Sequence, residues 1–194
     1  MTRYSKSFLF PDLNVWVALT YTRHAHYECA HRWYVNLPED AHLFFCRFTQ
    51  IGFLRLVTTA AVMGDEVLDQ AAAWRLYDHW LGEGGASCVK EPDGVERVFR
   101  SLSRSNDIAP KSWADAYLAA FATVSGMRFV TFDQGFKDKV EKLLILTPQF
   151  RTTEASRARS FKSRKHPSRL RSAMAARSSL QAVKRLREDH FARD

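Results

Sequence analysis

Three aspartates carry the residue types and spacing that could do chemistry. Asp12 follows the apolar run Phe8-Leu9-Phe10, Asp133 follows Phe129-Val130-Thr131-Phe132, and Asp115 sits within Ser112-Trp113-Ala114-Asp115-Ala116. Each marks an expected strand-to-helix transition. Carboxylates held close together repel unless a proton or a cation neutralises them. Oxygen ligands of this kind suit Mg²⁺ or Mn²⁺. The residues therefore point to metal-dependent phosphoryl transfer rather than to thiol or serine chemistry.

For the three to meet, the elements carrying them must end at one edge of a sheet. Short apolar runs at 8–10, 43–46, 86–89, 129–132 and 143–146 read as buried strands. Helical spacing is expected from Asn14, over 26–36, from Ile51, over 67–81 after Gly64-Asp65-Glu66, over 94–102, and from an N-cap at Ser112 to Gly126. Thr49-Gln50 is placed at the far end of the second strand. Strands alternating with helices imply an α/β domain with a mainly parallel sheet, whose site lies beyond the carboxyl ends of the strands.

Composition limits the alternatives. A chain of 194 residues with 46% hydrophobic content, 14 Phe and 5 Trp fits one domain, or one domain with an appendage. No apolar run approaches the roughly 18 residues of a membrane span, and the N-terminus lacks a secretory pattern, so a cytoplasmic location is expected. Cys29, Cys46 and Cys88 form no C-x-x-C pair, and reduced thiols in or near the core are expected. His24, His26 and His31 are poorly spaced for a joint helical zinc site. Charge is uneven: residues 151–194 hold 13 Lys+Arg against 4 Asp+Glu, whereas residues 1–150 hold 16 against 17. The expected boundary is near residue 150, with a basic tail, disordered or conditionally helical, over 151–194.

Four segments in order, Asp12-Leu13-Asn14-Val15-Trp16, Thr49-Gln50-Ile51-Gly52-Phe53-Leu54-Arg55, Trp113-Ala114-Asp115-Ala116-Tyr117-Leu118-Ala119-Ala120 and Val130-Thr131-Phe132-Asp133, resemble a PIN-domain ribonuclease of the VapC toxin type. The resemblance spans residues 8 to about 147 and leaves out the tail. It implies a three-layer α/β fold, Mg²⁺- or Mn²⁺-dependent endonucleolytic cleavage of RNA, an antitoxin whose C-terminal segment covers the site, and a homodimer. Asp12, Asp115 and Asp133 match the acidic positions as catalytic residues and metal ligands. Asn14 and Thr131 match small polar supporting positions.

One departure stands out. The family's second acidic position is usually Glu, and the matching residue here is Gln50, which offers a neutral carbonyl oxygen but no charge. That departure favours a one-metal site, or a second metal recruited only with the RNA phosphate; alternatively Glu28, Asp65 or Glu66 contributes instead. Structural alternatives stand beside each assignment: a turn or N-cap for Asp12, a helix-dipole complement for Asp115, a turn before Gln134-Gly135 for Asp133, and capping or bracing for Asn14, Gln50 and Thr131. Trp16, Trp74, Trp80 and Trp113 read as core or interface. A haloacid-dehalogenase-like phosphatase also carries an aspartate after its first strand, but usually a second Asp two residues later, where this chain has Asn14. A non-catalytic PIN-like module that binds RNA or an antitoxin is the other class, and Gln50 is the residue that favours it. The tail reads as a nonspecific RNA arm, a dock for an acidic partner, or a solvated extension. In the near-neutral body, Arg47, Arg55 and Lys111 are the basic residues expected to influence substrate choice.

Overall fold

The computed structural model describes residues 7–104 and 108–147. Its strands are β1 (Phe8–Pro11), β2 (His42–Cys46), β3 (Ala86–Val89), β4 (Arg128–Thr131) and β5 (Leu143–Ile145). Helices α1 (Leu13–Thr20) and α2 (Tyr27–Val35) follow β1, and α3 (Arg47–Val57), α4 (Ala60–Met63) and α5 (Gln70–Gly82) follow β2. Helices α6 (Val95–Leu102) and α7 (Ser112–Ser125) follow β3. All pairings are parallel, in the order β3-β2-β1-β4-β5. All five carboxyl ends therefore share one edge, and the winding reverses direction between β1 and β4.

Alternation along each strand builds the layers, because successive side chains point to opposite faces. Leu9, Phe45 and Val130 join the cluster formed with α1, α2, α3 and α5, while Phe10, Cys46 and Phe129 join the one formed with α6 and α7. A parallel sheet buried on both faces needs such near-continuous apolar strands. Trp16 anchors the larger cluster: it is fully buried, stacks on Phe45 at 3.7 Å between ring centroids and meets Trp80 edge-on at 5.3 Å.

The structure departs from the sequence reading at several element starts. Thr49 and Gln50 are not in strand β2 but in the first turn of α3, which starts at Arg47. Thr49 Oγ1 accepts from the Cys46 N–H at 2.9 Å, which ties the turn to the strand end. Helix α5 starts later than expected: Asp69 caps it through the Ala72 N–H (2.7 Å), and Gly64–Glu66 form a separate 3₁₀ turn. Ser112 does not accept a capping hydrogen bond; its hydroxyl donates to the Ala109 carbonyl at 2.7 Å. Gly126 closes α7 as expected, with φ +66 in the left-handed region that a C-terminal cap requires. Of the cysteines, Cys46 is buried, Cys29 half-buried and Cys88 exposed, so the last departs from the expected core placement. Among the described residues no helix is long and apolar enough to cross a membrane. The expected tail, 151–194, lies outside the described residues.

Candidate active site

Strands β1 and β4 lie side by side at the point where the winding reverses, and in open α/β sheets the crevice there is where ligands bind. Asp12 directly follows β1 and is 7% exposed. It caps α1, with Oδ1 accepting from the Leu13 N–H at 2.6 Å. Its other oxygen, Oδ2, accepts from the hydroxyl of Thr131, the last residue of β4, at 2.9 Å. Thr131 is fully buried, and the same hydroxyl accepts from the Asp133 N–H at 3.0 Å. One side chain thus joins the ends of two strands and two of the aspartates. Asp133 is exposed, and its Oδ1 accepts from the Gly135 N–H at 2.7 Å, closing a 3₁₀ turn over Gln134–Phe136. Capping by Asp12 and turn formation by Asp133 therefore coexist with their place at this edge.

Asp115 does not mark a strand-to-helix transition as expected: it comes from the first turn of α7, which follows helix α6 and leads into β4. Its side chain is 34% exposed, and Oδ2 lies 3.7 Å from Lys139 Nζ. Burial pushes the Asp12 carboxyl up from its ordinary 3.8 to about 6. The Thr131 and Leu13 hydrogen bonds pull it down, and the charges of Asp115 and Asp133 push it up. Asp115 and Asp133 thus each lie within electrostatic reach of Asp12.

Gln50 is 5% exposed, and its Oε1 accepts from the Arg47 guanidinium one turn earlier. Helix α3 can lie close against α1 because residue 52 is glycine: a Cβ there would stand 2.8 Å from Leu13 Cδ2. Asn14 is exposed in α1. Of the candidate replacements for the absent glutamate, two are engaged in ion pairs. Asp65 and Glu66 pair with Arg23 at 3.2 and 3.3 Å, and Glu28 is exposed on α2.

The donor set fits a hard divalent cation. Asp12 is a buried, dehydrated carboxylate with no ion pair among the described residues, and two further carboxylates act on it. No three acidic, His or Cys side chains among the described residues are grouped closely enough to hold a metal ion on their own. Mg²⁺ commonly rests on one or two carboxylates and completes its shell with water and substrate phosphate oxygens.

Residues 9–142 match the PIN domain family. The chain belongs to that family. This PIN domain is 36% identical over 132 residues to Ribonuclease VapC41 of Mycobacterium tuberculosis, covering 66% of this chain and 90% of the relative. It is 31% identical over 130 residues to Ribonuclease VapC44 of the same species, covering 63% and 84%. Ribonuclease VapC39, also from that species, is 25% identical over 141 residues, covering 69% and 94%. These relatives place the PIN domain on the VapC branch. Two features of its edge had no signal in the sequence: the pairing of Lys139 with Asp115 and the hold of Arg47 on Gln50 both depend on how separate turns pack.

Replacing Thr131 with Val keeps the volume and removes the hydroxyl. Asp12 Oδ2 then loses its donor, at a cost of about 1–3 kcal/mol for a hydrogen bond to a charged group. That bond holds the Asp12 carboxyl down, so its loss raises the carboxyl further. Thr131→Val is expected to shift the acidic limb of the pH–rate profile to higher pH, which initial rates across pH 5–8 would check.

Proposed function

We propose that this PIN domain is the toxin of a toxin–antitoxin pair, an endoribonuclease that hydrolyses RNA phosphodiesters with Mg²⁺ or Mn²⁺. The observation that carries the reading is the buried Asp12 carboxylate at the switch-point edge, linked through Thr131 to Asp133 and acted on by the charges of Asp115 and Asp133. Relatives that carry the name ribonuclease support it. A bound divalent cation would supply Lewis acidity, lowering the pKa of an attacking water and offsetting charge on the phosphate.

The chain's own residues provide the frame for that chemistry. Asp12 must be ionised to serve as a ligand, and its two hydrogen bonds keep ionisation within reach near neutral pH. Asp115 and Asp133 are more open to solvent and can serve as ligands or orient water. Gln50 adds no charge and has its carbonyl taken up by Arg47, so the negative charge of the set rests on the three aspartates. Residues 1–150 form the nuclease domain in this reading, and 151–194 a basic extension. A cognate antitoxin would place a basic side chain, best an arginine, among the aspartates where the cation otherwise sits. A homodimer completes the proposal.

Antitoxin-free protein is expected to cut a structured RNA into discrete fragments in Mg²⁺ or Mn²⁺, and to leave it intact in EDTA. The hold of Arg47 on Gln50 favours a second reading, a PIN module that binds RNA or antitoxin without cutting. Folded, cation-loaded protein that binds the RNA and leaves it intact would decide for that module.

A further inference from the structure

Lys139 is the one cation that contacts any of the three aspartates among the described residues. Its position is built. The Lys139 and Val140 N–H groups both donate to the Phe136 carbonyl, at 3.0 and 3.2 Å. Phe136 and Val140 are buried, and the Phe136 ring packs on Phe129 of β4 at 4.7 Å. The Lys139 ammonium stands 5.6 Å from the Phe136 ring centroid and 3.7 Å from Asp115 Oδ2. Both side chains of the pair are 34% exposed. The turn that presents Asp133 thus leads directly into the segment that aims a lysine at Asp115.

We propose that Lys139 is the site's resident counter-charge, a positioning residue that pairs with Asp115 in the cation-free protein and must yield it when a divalent cation binds. The inference rests on reading this edge as a divalent-cation site. A cation arriving at Asp115 meets a carboxylate already paired and a like charge beside it. Lys139 therefore weakens cation binding and restricts Asp115 to one orientation until the cation is present. An ion pair this exposed contributes less than about 1 kcal/mol. Its removal is therefore expected to tighten cation binding about two- to five-fold, and loss of the like-charge repulsion acts in the same direction.

The test is calorimetric titration of the full chain with Mn²⁺ alone, with Mn²⁺ electron paramagnetic resonance as a second readout. Lys139→Met is expected to bind Mn²⁺ about two- to five-fold more tightly than wild type, whereas Lys139→Arg, which keeps the charge, stays at the wild-type affinity. Lys139→Gln is the substitute should the methionine variant not fold. Unchanged or weaker Mn²⁺ binding after loss of the charge overturns the inference and leaves the nuclease reading standing. No Mn²⁺ binding by folded wild type overturns both.

Discussion

Asp12→Asn is expected to abolish RNA cleavage while making the cation-free protein more stable at neutral pH. The two effects have one cause. Burial raises the Asp12 carboxyl to about 6, so the folded state holds its proton where the unfolded chain has released it. Between the ordinary value of 3.8 and about 6 the native state binds more protons than the unfolded one. Stability therefore falls as pH rises through that window, and the full penalty is present above it. A shift of this size corresponds to about 3 kcal/mol. The amide carries no charge to dehydrate but fits its two donors less well, so a net gain of about 1–3 kcal/mol at pH 8 is expected. That corresponds to a rise in Tm of about 3–8 °C for a domain of this size. Melts in EDTA at pH 4 and pH 8 check the sign: the variant gains at pH 8 and not at pH 4. Wild type should recover the difference on addition of Mn²⁺, because an ionised Asp12 is then neutralised by the cation rather than by a proton.

The second large effect concerns Asp115. It is partly exposed, lies in the first turn of α7 and has Lys139 as its ion-pair partner. Replacing it with Asn removes one charge from the edge and leaves the core untouched. The neighbouring apolar residues Ala116, Leu118 and Ala119 are buried in the native fold. Stability should change by less than about 1 kcal/mol, as for an exposed ion pair. Cleavage should fall about a hundred-fold or more, in line with removal of one preorganised electrostatic contact in the transition state.

Much of this fold is legible in the residues, for a physical reason. A parallel sheet covered on both faces demands short apolar runs, and Phe8-Leu9-Phe10 and Phe129-Val130-Thr131-Phe132 stand out against polar flanks. The aspartates after them fall where the strands end, so two site positions follow from strand ends alone. Asp115 was marked by its place in a helix's first turn, a weaker signal because an acid there has an ordinary use, and the resemblance strengthened it. What was not legible depends on tertiary contact. The start of α3 at Arg47 reflects the Thr49 hydroxyl bonding back to Cys46, and apolar periodicity does not register such a bond. Ser112 has the side chain of a helix cap but spends its hydroxyl on the Ala109 carbonyl. Helix α4 is a single turn, too short for any periodic signal. Lys139 reaches Asp115 only because Phe136 and Val140 bury the turn between them.

Cation-dependent RNA cleavage by this edge, with Asp12, Asp115 and Asp133 as its acidic residues, is the reading proposed above. Its most direct measurement is cleavage of total RNA by wild type and Asp115→Asn side by side in Mn²⁺, with the new 5′ ends mapped. Discrete ends that are present with wild type and lost with the folded variant are the predicted result. Equal cleavage at the same ends by both proteins would contradict the account.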